Sequence, residues 1–388
     1  MSKGKARPTL HTEAKDSLSG RINDLFQQAL THHQQGRFTE AEVLYQRILQ
    51  TQPQHFGALH LLGVTYYQCG QAAKACELIA QAIKIDPQQP AAYSNMGLAL
   101  QRLGQLQDAL DSYNHALRLN PDYVEGLYNR GTVLRALGQY EAAIASYDSL
   151  LTLCPEHANA LYNRGNALND LKRYQEALAS YDLALELQPA YVEALNNRGT
   201  VLAAMKNYDA ALASYDCALA LQPDFAQAHN NRGVALADLR LDQEALAAYD
   251  QALALKPDYA EAHSNRGKAL RSLSRYAEAA ESFAQALALA PAHSYTVGNM
   301  LHSQMQACIW ADYKENLRQV VDAINESQLA DTPFSLLSAI SSPSLQHRCA
   351  RLYAAHEFPA LPALWQSERY THSKIRLAYV SADFREHP

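Results

Sequence analysis

The apolar positions of this chain run in pairs of helical stripes. In residues 158–187, Leu161, Gly165 and Leu168 fall at i, i+4 and i+7, and Ala177, Tyr181 and Ala184 repeat that spacing further on. Each set lies on one face of an α-helix. Pro189 then ends the second helix, because proline lacks an amide donor and clashes with the preceding turn. The same order recurs along the chain, with prolines at 53, 87, 121, 155, 189, 223, 257 and 291, a constant spacing of 34. The pattern predicts eight helical hairpins, at 22–55, 56–89, 90–123, 124–157, 158–191, 192–225, 226–259 and 260–293, behind a disordered tail over 1–21. Between the helices of the first four hairpins sit Gly36, Gly70, Gly104 and Gly138, suited to a left-handed C-cap. Lys172, Lys206, Arg240 and Ser274 take that place later, which predicts a less relaxed turn.

A helix-turn-helix period of 34 is similar to that of the tetratricopeptide repeat. The resemblance implies an all-α fold, a right-handed superhelix (an α-solenoid) in which each repeat touches only its neighbours. Gly165 and its equivalents Gly63, Gly97, Gly131, Gly199, Gly233 and Gly267 read as spacing residues where two helices approach closely. Each costs about 1 kcal/mol of helix propensity, which closer packing offsets. The asparagines two residues earlier read differently. Asn95, Asn129, Asn163, Asn197, Asn231, Asn265 and Asn299 recur at one place, and Asn163 points away from the apolar stripe, on the side of Asn159, Asn166 and Asp170. Asparagine is a mediocre helix former, so Glu, Lys or Gln fills a merely solvated slot at lower cost. Its amide offers a donor and an acceptor, matching one peptide unit. Stacked repeats would align these amides as a peptide-binding ladder on the concave surface. The alternative is local hydrogen bonding within the solenoid.

The residue before each glycine carries a second pattern, with the repeats as internal replicates. Asp148 stands sixteen residues before Arg164, Asp182 before Arg198, Asp216 before Arg232 and Asp250 before Arg266. Asn114 precedes Arg130. Where the upstream residue is alanine the arginine is absent: Ala80 goes with Met96, and Ala284 with Met300. Gln46 with Leu62 fits less well. The joint loss predicts that the second helix of each central repeat meets the first helix of the next through an Asp–Arg pair. Its role is structural, with the arginine stem along the apolar seam. Half exposed, each pair is worth about 0–1 kcal/mol; buried, cutting it costs about 3–5 kcal/mol.

After Pro291 the pattern decays. Leu301 replaces the glycine, and "LHSQMQACIWADYKENLRQVVDAI" predicts an amphipathic capping helix broken near Trp310. The following stretch is helical in its middle and interrupted by Pro333, Pro343, Pro359 and Pro362, so 294–373 reads as a packed capping and transition segment. The last fifteen residues, "KIRLAYVSADFREHP", open on a β-type run, Ile375 to Val380, that turns polar at Ser381. Such a strand often starts a doubly wound α/β domain.

Composition narrows the function. A net charge of -6 argues against a surface for nucleic acid, and no apolar run is long enough to span a membrane or act as a signal peptide. The cytoplasm is the expected location. Six cysteines without CxxC spacing read as small buried residues, with no metal site and no disulfides. Walker, GxGxxG and HExxH patterns are absent.

"ACIWADY", "PFSLLSAISSP" and "KIRLAYVSADFREHP" together resemble the junction and catalytic-domain opening of glycosyltransferase family 41, the O-linked N-acetylglucosamine transferases and SPINDLY-type proteins. The asparagine row resembles the one lining the superhelix of those transferases, where it holds the acceptor's backbone. The resemblance implies that 374–388 begins a truncated catalytic domain of GT-B type. His387, in "DFREHP", matches the histidine of the family's DFxxHP motif in the active-site cleft, which implies an acid–base role. The implied activity is O-glycosyl transfer from a nucleotide sugar to Ser or Thr of extended protein acceptors. The implied donor is UDP-N-acetylglucosamine, or GDP-fucose as in SPINDLY-type relatives, and the 388-residue chain alone binds no cofactor and is expected to be inactive. The other reading is a non-enzymatic scaffold joining proteins, with self-association open in either case. A chaperone-type carboxylate clamp fits poorly, since the groove offers Glu125, Glu193 and Glu261 with few cations.

Overall fold

The computed structural model describes residues 10–358, with side chains from residue 20 onward. The expected strand at Ile375–Val380, the rest of 374–388 and His387 lie outside these residues. All regular structure among the described residues is helical. Antiparallel pairs follow one another: α1 (Leu10–Gln34) with α2 (Phe38–Thr51), α3 (Phe56–Gln68) with α4 (Ala72–Ile85), α5 (Pro90–Arg102) with α6 (Leu106–Leu119), α7 (Val124–Ala136) with α8 (Tyr140–Leu153), α9 (Ala158–Asp170) with α10 (Tyr174–Leu187), α11 (Val192–Ala204) with α12 (Tyr208–Leu221), and α13 (Ala226–Asp238) with α14 (Asp242–Leu255). Next in the chain come α15 (Ala260–Ser272) and α16 (Tyr276–Leu289), then α17 (Thr296–Gln306) and α18 (Tyr313–Asn325). Two further helices, α19 (Pro333–Ala339) and α20 (Pro343–Glu357), close the described chain. Helix α1 starts at Leu10, so residues 10–21 extend it and do not form the disordered tail expected there.

The chain divides into two units, 1–269 and 270–388. Within the first, the spacing residues have a specific partner. A Cβ on Gly165 would lie 2.6 Å from a ring carbon of Tyr181, and Gly97, Gly131, Gly199 and Gly233 meet Tyr113, Tyr147, Tyr215 and Tyr249 the same way. In the second repeat Gly63 meets Ile79. Each glycine is therefore the socket for the ring sixteen residues on, and those five tyrosines are fully or almost fully buried. Their hydroxyls are then desolvated and titrate above the ordinary phenol range; Tyr147 and Tyr215 are pushed up to about 12. Between paired helices, Gly36, Gly70, Gly104 and Gly138 adopt positive φ. Lys172, Lys206 and Arg240 hold φ of 58°, 62° and 63° at the same turn, a left-handed conformation that costs a side-chain-bearing residue about 1–2 kcal/mol.

The arginines tie helices together. Arg164, Arg198, Arg232 and Arg266 place Nε 2.6–2.7 Å from Asp148, Asp182, Asp216 and Asp250. Arg164 and Arg198 also donate through Nη1 to Ser180 and Ser214, each at 2.7 Å, so one guanidinium joins three helices. Serine thus belongs to the clamp, a partner the pairing pattern did not include. Asp182 is 44% exposed and Arg198 30%, which places the pair in the weak regime of solvent-screened ion pairs. Arg198→Met is expected to lower stability by about 0–1 kcal/mol, less in high salt. Urea denaturation at low and high salt checks this; a loss of several kcal/mol would mean the seam is effectively dry.

The second unit ends the array differently. The break in the capping segment separates α17 from α18 and includes Trp310. Val297, Leu301, Val320, Ile324, Leu336 and Cys349 form its core. Pro333 and Pro343 do not interrupt helices: each stands in the first turn of one, where its missing N–H costs nothing. Cys349 is the one buried cysteine among the six. Cys69, Cys217 and Cys308 are exposed, Cys76 and Cys154 are half-buried, and all are free thiols, so small size in a core does not account for the set.

Candidate peptide-binding face

The first helices α3, α5, α7, α9, α11 and α13 contact one another in turn, and Asn265 on α15 bonds back to α13, which brings their asparagines into a row. Asn95, Asn129, Asn163, Asn197, Asn231 and Asn265 are all partly exposed. The row is stitched by hydrogen bonds across the repeat seam. Asn163 Nδ2 donates to Tyr128 Oη at 2.9 Å, Asn197 to Tyr162 Oη at 3.1 Å, Asn231 to Asn196 Oδ1 at 3.0 Å and Asn265 to Asn230 Oδ1 at 3.2 Å. Asn95 Nδ2 lies 2.9 Å from His60 Nε2. Burial pushes that imidazole down to about 4, so at neutral pH the ring is uncharged and its Nε2 accepts. Each acceptor sits one repeat and one residue upstream. Local hydrogen bonding is therefore part of the row's role.

The seam bond does not exhaust the amide. A carboxamide has two N–H donors and an oxygen with two lone pairs. Asn163 spends one donor, and Asn129 makes no side-chain hydrogen bond among the described residues. Asn197 is more fully engaged, donating also to Asn166 and accepting from Asn196. Of the residues expected to share Asn163's side, Asn159 is exposed and Asp170 pairs with Arg135 at 2.7 Å. Asn166 is buried instead, accepting from Tyr181 Oη at 2.7 Å. A cavity lined by Cys154, Pro155, His157, Asn159 and Gln188 opens one turn before Asn163. Tyr128 stacks on His157 and Tyr162 meets Tyr191 at a tilt, with centroids 5.5 and 4.9 Å apart, so aromatic rings flank the row. Glu125, Glu193 and Glu261 are exposed on the same helices. Asn299, in the second unit, accepts from Arg271.

The acceptor positions His60, Tyr128, Tyr162, Asn196 and Asn230 were not apparent from sequence, because their chemistry changes from repeat to repeat while their place does not. The 35-residue offset from each asparagine is the signal that marks them. Among the described residues, no cluster of three or more His, Cys, Asp or Glu can hold a metal, and no helix is long and apolar enough to cross a membrane.

Helical hairpins stacked at a 34-residue period, with a polar row on their first helices, define a helical-repeat protein. Tetratricopeptide-repeat models match residues 32–99, 94–158, 128–192, 192–225, 242–274 and 260–293. The chain belongs to the tetratricopeptide-repeat proteins. A tetratricopeptide repeat protein from Parabacteroides merdae is similar over 61% of this chain and 93% of its own, at 25% identity and a TM-score of 0.53. YrrB, described as a TPR protein with an unusual peptide-binding site, matches 48% of this chain and 96% of its own, at 27% identity and a TM-score of 0.42. MamA matches 42% of this chain and 94% of its own, at 26% identity and a TM-score of 0.40. No curated protein matches the chain significantly in sequence.

Proposed function

We propose that the repeats bind extended segments of partner proteins along the asparagine row, in the cytoplasm. The observation that carries this is the partly exposed row itself, one amide per repeat on adjoining helices. The seam bonds fix Asn95, Asn163, Asn197, Asn231 and Asn265 in place before any ligand arrives, which lowers the ordering cost of binding. The unspent donors and lone pairs then address peptide units, each hydrogen bond contributing about 0.5–1.5 kcal/mol. Affinity should depend little on peptide side chains. In the fuller reading the bound segment is the acceptor of an O-glycosyltransferase using UDP-N-acetylglucosamine or GDP-fucose. That reading rests on the resemblance of the transition segment and of 374–388, with His387 as its acid–base candidate.

Replacing Asn163, Asn197 and Asn231 together by alanine is expected to weaken an extended peptide at least tenfold by fluorescence anisotropy. The lost seam bonds also lower stability by about 2–4 kcal/mol without unfolding the array. Unchanged peptide affinity in the folded variant would overturn the ladder. Sugar transfer by the 388-residue chain from either donor would overturn the expectation that it is inactive alone.

A further inference from the structure

Five arginines occupy one position in successive repeats of the first unit, and four of them face a carboxylate. Arg130 is the exception. Sixteen residues upstream, on α6, it has Asn114, which has aspartate's shape without its charge. Its Nε turns to Ser146 Oγ at 2.9 Å. In Arg164 and Arg198, Nε takes the carboxylate and Nη1 takes the serine. Among the described residues, neither terminal nitrogen of Arg130 has a hydrogen-bond partner, and nor does the Asn114 amide. Both residues are partly exposed, and the sister aspartates are about half exposed, so this edge of the repeats opens to solvent. Desolvation alone acts on Arg130, lowering its pKa, with no acid near enough to oppose it. A guanidinium drawn partly out of water without a counter-charge is the unfavourable half of an ion pair.

We propose that Arg130 and Asn114 form a receptor for one carboxylate, supplied by an acidic side chain of a bound protein. The sister positions show what this guanidinium takes: a carboxylate 2.6–2.7 Å from Nε, with serine on the far side. In Arg130 both terminal NH₂ groups are unspent, and the Asn114 amide can turn its NH₂ toward the same anion. A free carboxylate on a half-exposed arginine binds with a Kd on the order of 10–100 mM. Within a docked partner the contact becomes intramolecular, so it selects among partners more than it anchors them. The inference stands apart from the asparagine row, since it concerns the seam with the second helices.

The test follows the arginine Nε–H signals of the ¹⁵N-labelled chain during titration with N-acetyl-aspartate amide, and separately with inorganic phosphate. The Arg130 signal is expected to shift and saturate with the aspartate derivative, while Arg164, its carboxylate already in place, stays still. Asn114→Asp should weaken that response at least tenfold and move the free Arg130 signal toward that of Arg164. Asn114→Ala, lacking the second donor, should weaken it several-fold. Equal, unsaturating shifts at both arginines, a full response in Asn114→Asp, or saturation by phosphate alone would each overturn the assignment.

Discussion

Tyr181→Ala is expected to lower the unfolding free energy by about 3–5 kcal/mol, read by urea denaturation under far-UV circular dichroism. The ring is fully buried and seated on Gly165, with Ala177 and Ala184 beside it on α10. Its hydroxyl donates to Asn166 Oδ1, which also accepts from Asn197, so the loss reaches the next repeat. Tyr181→Phe keeps the ring and forfeits one hydrogen bond, about 1 kcal/mol. Gly165→Ala drives a methyl to 2.6 Å from the ring; overpacking of about 1–3 kcal/mol is then partly offset by about 1 kcal/mol of helix propensity. The double variant, Gly165→Ala with Tyr181→Ala, should be more stable than the two losses added, because the methyl enters the vacated socket. Simple additivity would mean that glycine and ring are not coupled.

That socket marks how far the sequence was legible. The hairpins could be read because proline, the turn glycines and the i, i+4 stripes act locally, and a period of 34 repeats them. The Asp–Arg contacts were readable for another reason: the repeats are replicates, and Ala80 with Met96 shows what happens when one partner is missing. Glycine's role as spacing was visible, but not that its neighbour is the tyrosine sixteen residues on. That contact depends on how two helices dock. Asn166 was placed beside Asn163 by helical phase alone, yet the approach of Tyr181 turns its position into interior. The row's acceptors stayed hidden because histidine, tyrosine and asparagine serve one geometric role. Pro333 and Pro343 were read as breaks, although the same missing N–H suits a first turn, and only the observed helices decide between the two.

Asp331 in the second unit gives the other large effect, and its sign is opposite to that of most carboxylates. The residue is 5% exposed, and desolvation raises its pKa from 3.8 to about 6, against the opposing pulls of the Thr332 amide, Ser335 and the Arg271 guanidinium. Its place is made by Gly298 on α17, where a Cβ would collide with the carboxyl group. Residues 329–331 hold it there: Gly298 N–H donates to Ala330 O at 3.0 Å, and Cys349 Sγ lies 3.2 Å from Asp331 O. Below about pH 4 both folded and unfolded states carry the proton, and the carboxyl adds no cost. Between about pH 4 and 6 the folded state keeps a proton that the unfolded state releases, so stability falls as pH rises. Above about pH 6 the cost is complete, about 3 kcal/mol for a shift of this size. Asp331→Asn removes the ionisation while its oxygen still accepts from Thr332. The variant is therefore expected to be about 2–3 kcal/mol more stable than the parent at pH 7.5 and about equal to it near pH 4. Burial raises the Cys349 thiol to about 11 and Arg271 stays protonated. His302, its pKa lowered by burial and by Arg271, titrates in parent and variant alike, so the difference between the two proteins isolates Asp331. Urea denaturation of both proteins across pH 4–8, followed by Trp310 fluorescence in a Trp365→Phe background, reports on the second unit. A variant less stable than its parent at pH 7.5 would show that attraction to Arg271 outweighs desolvation, and that the buried charge holds the end of the array in place.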